Sequence, residues 1–106
     1  MRNEKQIKQL TRVIYDWINQ NKPDHLPAFL GSISKIYLAN NNHFAKISIA
    51  MDKGDDWVDF LNESKHLVKH FVAKQLNWRK TPEIVFELDV DDTREKMLQA
   101  ILDEHQ

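Results

Sequence analysis

The sequence predicts one α+β domain, a three-stranded sheet with helices packed on one face, in the order α-β-β-α-β. Three observations predict it. Apolar residues recur at spacings of three and four between Ile7 and Ile18 and again between Phe60 and Leu76, the period of helices that bury one side. Two stretches rich in β-branched and aromatic residues, SISKIYL (32–38) and FAKISIAM (44–51), stand close together between those helices, and a third, EIVFELD (83–89), follows the second helix. One helix-length connection therefore joins the second and third strands, whereas a short turn joins the first two.

In the first helix Ile7, Leu10, Ile14, Trp17 and Ile18 form the apolar face, with Lys5, Lys8 and Arg12 away from it. Asn21, Pro23 and Pro27 end it, because proline lacks a donor and disfavours helix in the residue before it, so residues 21–29 are expected as a loop. In the hairpin Ala45, Ile47, Ile49 and Met51 alternate against Phe44, Lys46, Ser48 and Ala50, which buries one sheet face. Asn40, Asn41 and Asn42 tolerate left-handed backbone and make the turn. Residues 52–56, with Gly54 among four charged residues, break the strand, and Asp55 or Asp56 is expected to cap the next helix by accepting bonds from its free amides. That helix is expected over about residues 57–77. Phe60, Leu61, Ser64, Leu67, Val68, Phe71, Val72, Gln75 and Leu76 fall on its packed side, and Lys65, His66, Lys69, His70 and Lys74 on the opposite half. Ile84, Phe86 and Leu88 alternate in the third strand, and Met97, Leu98, Ile101 and Leu102 predict a short terminal helix in a tail beginning near residue 92.

Composition narrows the function. With 106 residues, 12.6 kDa and 42% hydrophobic residues, the chain is expected to form a single domain over 1–106 with its own core. The absence of cysteine excludes disulfides, thiolate zinc sites and cysteine nucleophiles. No apolar stretch approaches the roughly 20 residues of a membrane helix, and MRNEKQIKQL carries charge too early for a leader, so a soluble, cytoplasmic protein is expected. The net charge of −1 excludes a strong global field, but charge is segregated along the chain: −4 over residues 52–63, +5 over 64–82 and −6 over 83–106. Between Ser64 and Pro82 there is no acidic residue, while Lys65, Lys69, Lys74, Arg79 and Lys80 stand among His66 and His70. A basic strip on one helix face is a means by which a near-neutral domain binds phosphates; it also suits an acidic protein partner.

The element order is the plan of a type II KH-like RNA-binding domain, but the only glycines are Gly31 and Gly54, so the Gly-x-x-Gly nucleotide clamp is missing. Residues 32–50 resemble the first hairpin of the ribosome-binding factor A family, with Phe44-Ala45-Lys46-Ile47-Ser48-Ile49 similar to its Y-A-K-V-x-V strand. Residues 61–89 resemble its long helix and third strand. Trp78-Arg79 stands at a Leu-Arg pair, and Pro82-Glu83-Ile84-Val85-Phe86 with Asp89 matches P-E-L-x-F-x-x-D. Where that family kinks its helix at Ala-x-Gly, this chain reads Ser64-Lys65-His66, which leaves open whether the helix kinks and whether serine bonding back to a carbonyl supplies the bend. After the third strand the family's Asp-x-Ser reads Asp89-Val90-Asp91. The resemblance implies a monomeric factor that binds the free small ribosomal subunit, assists late maturation of 16S rRNA, is associated with growth in the cold, and uses no cofactor.

Lys65, Lys69, Lys74, Arg79 and Lys80 are the expected phosphate contacts, with His66 and His70 beside them and Lys46 and Arg12 as weaker candidates. His66 and His70 have metal-ligand spacing, but Leu67 follows His66 where a metalloprotease has glutamate and no third ligand is evident, so surface histidines are expected. Of the tryptophans, Trp17 is expected in the core and Trp78 packed rather than stacked on a base. Asp52, Asp55, Asp56 and Asp59 lack calcium-loop spacing, and Asp89, Asp91 and Asp92 are expected as solvated charge, so no catalysis, metal or small-molecule substrate is expected.

Overall fold

The structure, a computed structural model, describes residues 2–39 and 43–90. The Asn40–Asn42 turn and the predicted terminal helix lie outside the described residues, as do Asp91 and Asp92. The elements are α1 (Arg2–Gln20), β1 (Ser32–Ala39), β2 (Phe44–Ala50), α2 (Asp55–Glu63), α3 (Lys65–Leu76) and β3 (Glu83–Leu88). β2 is central, antiparallel to β1 and parallel to β3, as a hairpin followed by a helical crossover requires. Leu10, Val13, Ile14, Trp17 and Ile18 of α1 join Ile47, Ile49 and Ile36 of the sheet, and Trp57, Leu61, Val68 and Val72 of the crossover, in one core. All three helices thus cover one sheet face, as expected.

Asn21 closes α1 by donating its side-chain amide to the Trp17 carbonyl at 2.9 Å, so one of the helix's last acceptors is satisfied. The loop that follows is held by Leu26, which is buried, and by Trp57, whose indole N–H donates to the Pro27 carbonyl at 3.0 Å. Gly31 ends the loop where no side chain fits: a Cβ there would stand 2.7 Å from Met51 Cβ and 2.8 Å from the Ala50 carbonyl.

Three local expectations are corrected. Gly54, not an aspartate, stands at the N-cap of α2, and no side chain bonds there. Its carbonyl accepts from Val58 N–H at 2.9 Å, while Asp55 and Asp56 sit inside the first turn, where their charge suits the positive helix end. The long helix is two helices. Ser64 has φ −99° and ψ 8°, far from helical ψ; its side chain caps no amide, and among the described residues its hydroxyl donates to no carbonyl, so serine back-bonding is not what bends the chain. The backbone ladder still spans the break, with Ser64 N–H on the Phe60 carbonyl at 3.0 Å and Val68 N–H on the Ser64 carbonyl at 3.0 Å. Third, Leu67, expected on the packed side, is 64% exposed, and Gln75 is exposed too. α3 buries only the narrow stripe of Val68 and Val72, and Leu67 lies about 100° around the helix from Val68.

The outer edge of β3 is covered. Asn62 of α2 donates to the Phe86 carbonyl at 2.9 Å and accepts from Phe86 N–H at 2.8 Å, so a side chain completes the free edge of β3 as a neighbouring strand would. Asn62→Leu is therefore expected to destabilise the fold by about 2–3 kcal/mol, since two half-buried backbone groups lose their partners. A urea midpoint unchanged within error would show that water replaces the amide freely.

Candidate nucleic-acid interface

The expected phosphate contacts fall on three surfaces. On α3, His66, His70 and Lys74 are exposed opposite the Val68 and Val72 stripe, while Lys65, also exposed, starts the helix one turn before Lys69 on the flank toward β3. Lys69 stands apart from them. It is half-buried and its ammonium lies 2.5 Å from Glu83 Oε1, because its flank of the helix faces the start of β3. Arg12 is exposed on α1, which packs beside α3 in the same helical layer. Lys46 projects from the opposite face of the sheet, 3.8 Å from Glu87, so the structure does not gather it with the helix cations.

The connection from α3 to β3 links these surfaces. Asn77 ends α3 in the left-handed region at φ 53°, a conformation asparagine adopts readily, and its N–H donates to the Ala73 carbonyl at 3.3 Å. Trp78 then turns inward. It is half-buried against the core, its indole N–H 3.4 Å from Gln9 Oε1 of α1, which meets the expectation that it packs. With Trp78 anchored, Arg79 and Lys80 are held outward and exposed. Lys80 Nζ lies 3.1 and 3.0 Å from the two ring nitrogens of His43, and His43 is fixed in turn by its N–H on the Ala39 carbonyl and its own carbonyl on Glu83 N–H. The basic connection therefore meets the sheet at the N-terminal end of β2.

Glu83 is the acidic residue inside this region. The hydrogen bond and charge of Lys69 hold its carboxyl below the usual glutamate value, with His66 and Lys65 adding to the effect against a small opposing desolvation. Since the folded value is lowered, the pair's contribution is present above the ordinary carboxylate range and is lost as pH falls through the lowered value. The Glu83 carboxyl carbon is expected to titrate below that of an unpaired glutamate in an NMR pH series, and Lys69→Met to move it back up. Glu83→Gln frees Lys69 and is expected to tighten binding to a polyanion about twofold to tenfold.

Carboxylates dominate the other end of the molecule. Asp52, Asp55, Asp56, Asp59 and Glu63 are exposed on and before α2, and Asp56, Asp59 and Glu63 line a hollow with His25 and Phe60. Asp89, expected as solvated, is half-buried and accepts from Ser34 Oγ at 2.7 Å, while Ser48 Oγ, buried on the same sheet face, donates to Glu87 at 3.0 Å. Residue spacing gave no sign of these pairs, because the Ser34 bulge in β1 and the parallel register of β3 bring them together. Among the described residues no group of three or more His, Asp or Glu side chains is placed to hold a metal, and no helix is long and apolar enough to cross a membrane.

Comparison with known proteins gives one consistent result. The family model described as Ribosome-binding factor A matches residues 2–102. A protein of that name from Moorella thermoacetica is 29% identical over 91 residues, covering 82% of this chain and 72% of the relative. The solution structure of a Thermotoga maritima protein described as a putative ribosome binding factor A superposes with TM-score 0.69 at 20% identity, covering 78% of this chain and 82% of that one. The crystal structure of ribosome-binding factor A from Thermus thermophilus gives TM-score 0.69 at 15% identity over 79% and 91% of the two chains. A homology model of the Thermus thermophilus protein fitted into the cryo-EM map of its 30S complex gives 0.61 at 17% identity, covering 76% of this chain and 88% of that one.

Proposed function

The chain belongs to the ribosome-binding factor A family, and from that membership we propose that it binds the free small ribosomal subunit and assists late maturation of 16S rRNA. The observation that carries the RNA contact is the unbroken absence of acidic residues from 64 to 82 combined with the outward placement of Lys65, Lys74, Arg79 and Lys80. Phosphates of folded RNA are met by such a surface through charge, while the shape of the domain supplies register. Without a Gly-x-x-Gly loop there is no backbone clamp for four nucleotides, so recognition of folded subunit rRNA rests on charge and shape. The fitted complex of the Thermus relative supports the choice of the 30S particle as partner. In this reading the protein acts in the cytoplasm as a monomer and performs no chemistry.

Sedimentation of the purified chain through a gradient with isolated small subunits, and separately with whole ribosomes, tests it. Co-migration with free small subunits and not with whole ribosomes is the expected result. Absence from both, with the protein folded, would sink the subunit assignment and favour an acidic protein partner for the basic face.

A further inference from the structure

Two aromatic side chains stand exposed on the sheet face away from the helices. Tyr37 is 60% exposed and Phe44 is 37% exposed. Register places them together: Tyr37 pairs with Lys46, and Phe44 precedes Lys46 by two on the same face, so the two residues occupy diagonal positions, a spacing of about 7–8 Å along the sheet. Lys46 lies between them and Val85 beside it on β3, and Lys35 follows on the same face of β1. Phe44 adjoins His43, against which Lys80 rests.

We propose that Tyr37 and Phe44 form a stacking platform for unpaired bases of single-stranded RNA, with Lys46, Lys35 and Lys80 meeting the adjoining phosphates. Charge decides the occupant. The carboxylates of β3 that share this side are engaged, Glu87 by Ser48 and Lys46, Glu83 by Lys69, and Asp89 by Ser34. Lys35 has no ion pair among the described residues, and the Lys46 pair at 3.8 Å is loose and exposed. The half of the face built by β1 and β2 thus offers aromatic rings flanked by cations, the combination that holds single strands without sequence preference. Diagonal strand positions about 7–8 Å apart suit consecutive bases splayed from an extended backbone, whereas a duplex keeps its bases stacked and offers nothing to the rings. The placement also accounts for Lys46, which stands on the far side of the sheet from the α3 cations: a strand passing Arg79 and Lys80 rounds the N-terminal end of β2 and reaches Lys46 across Phe44. The inference rests on the RNA-binding reading and adds to it a second surface for unpaired nucleotides.

The test is fluorescence anisotropy of the full chain with a labelled twelve-nucleotide single-stranded RNA and with the same sequence as a duplex, over a salt series. Tyr37→Leu with Phe44→Leu is expected to weaken single-strand binding about tenfold or more, to leave the salt slope unchanged because no charge is removed, and to leave duplex binding alone. Tyr37→Trp, which keeps a stacking face, is expected to retain wild-type affinity. The urea midpoint of each variant identifies any that is unfolded, and Tyr37→Leu alone then carries the comparison. Equal affinity of the leucine variants and the wild type for the single strand would overturn the platform, as would an equal loss on duplex. A loss of subunit binding without a loss on RNA would place a protein against the rings and overturn it also. Co-sedimentation of the wild type with small subunits is measured in parallel, so a failure confined to the platform is distinguishable from a failure of the subunit assignment.

Discussion

Replacing Lys65, Lys74, Arg79 and Lys80 together by glutamate is expected to weaken binding to isolated small subunits by at least about 100-fold near 0.1 M salt while leaving the domain folded. All four side chains are exposed, and among the described residues none is in an ion pair, so nothing in the core depends on their sign. Each phosphate contact removed should lower the magnitude of the salt slope by about 0.7–0.9, so four contacts change it by about 3. The slope is the informative readout. If affinity falls and the slope stays as it was, the lost contacts were not to phosphate, and an acidic protein surface becomes the partner. Lys69 is left out by design, because a glutamate there would face Glu83 at ion-pair distance and confuse repulsion within the fold with loss of RNA contact. For the same reason Lys69 is expected to contribute less to RNA binding than its place in the basic run suggests.

That difference between Lys69 and its neighbours shows where sequence reasoning reaches and where it stops. Period and alternation located α1, the hairpin and β3 because each buries one side against a single core, and the stripe Leu10, Ile14, Trp17 and Ile18 repeats as such burial demands. The same logic placed the α3 cations outward. It did not distinguish Lys69, whose partner is fourteen residues away on a parallel strand. It marked Ser64 as the place where the related family kinks its helix but left the break open, since a serine within an apolar period of 3.6 is compatible with one straight helix or with two. Asn62 reads as a solvent-facing polar residue until β3 arrives beside it. Tyr37 alternates with buried Ile36, which puts it on the far face, but only the structure shows that far face leaving its ring exposed.

Trp57→Ala is expected to cost about 3–5 kcal/mol, a large share of the 5–15 kcal/mol that holds such a domain together. Trp57 is 1% exposed and connects parts of the chain that share no backbone ladder. Its ring meets Phe29 edge-on at 5.2 Å and Phe60 at 5.7 Å, and Phe60 in turn stacks on Trp17 of α1 at 5.9 Å. Its N–H holds the Pro27 carbonyl, so this side chain fastens the loop between α1 and β1 to the start of α2. Removal of the indole opens a cavity under that loop and leaves the carbonyl without its donor. Trp57→Phe separates the two effects. It keeps an aromatic ring between Phe29 and Phe60 and deletes the hydrogen bond, with an expected loss of about 1–3 kcal/mol. Urea unfolding of both variants, followed by circular dichroism because one of the three tryptophans is gone, measures the difference. If the phenylalanine variant is as unstable as the alanine one, the bond to Pro27 and not the ring cluster fastens the loop. If both are near wild type, the loop is held by Leu26 and Phe29 without Trp57.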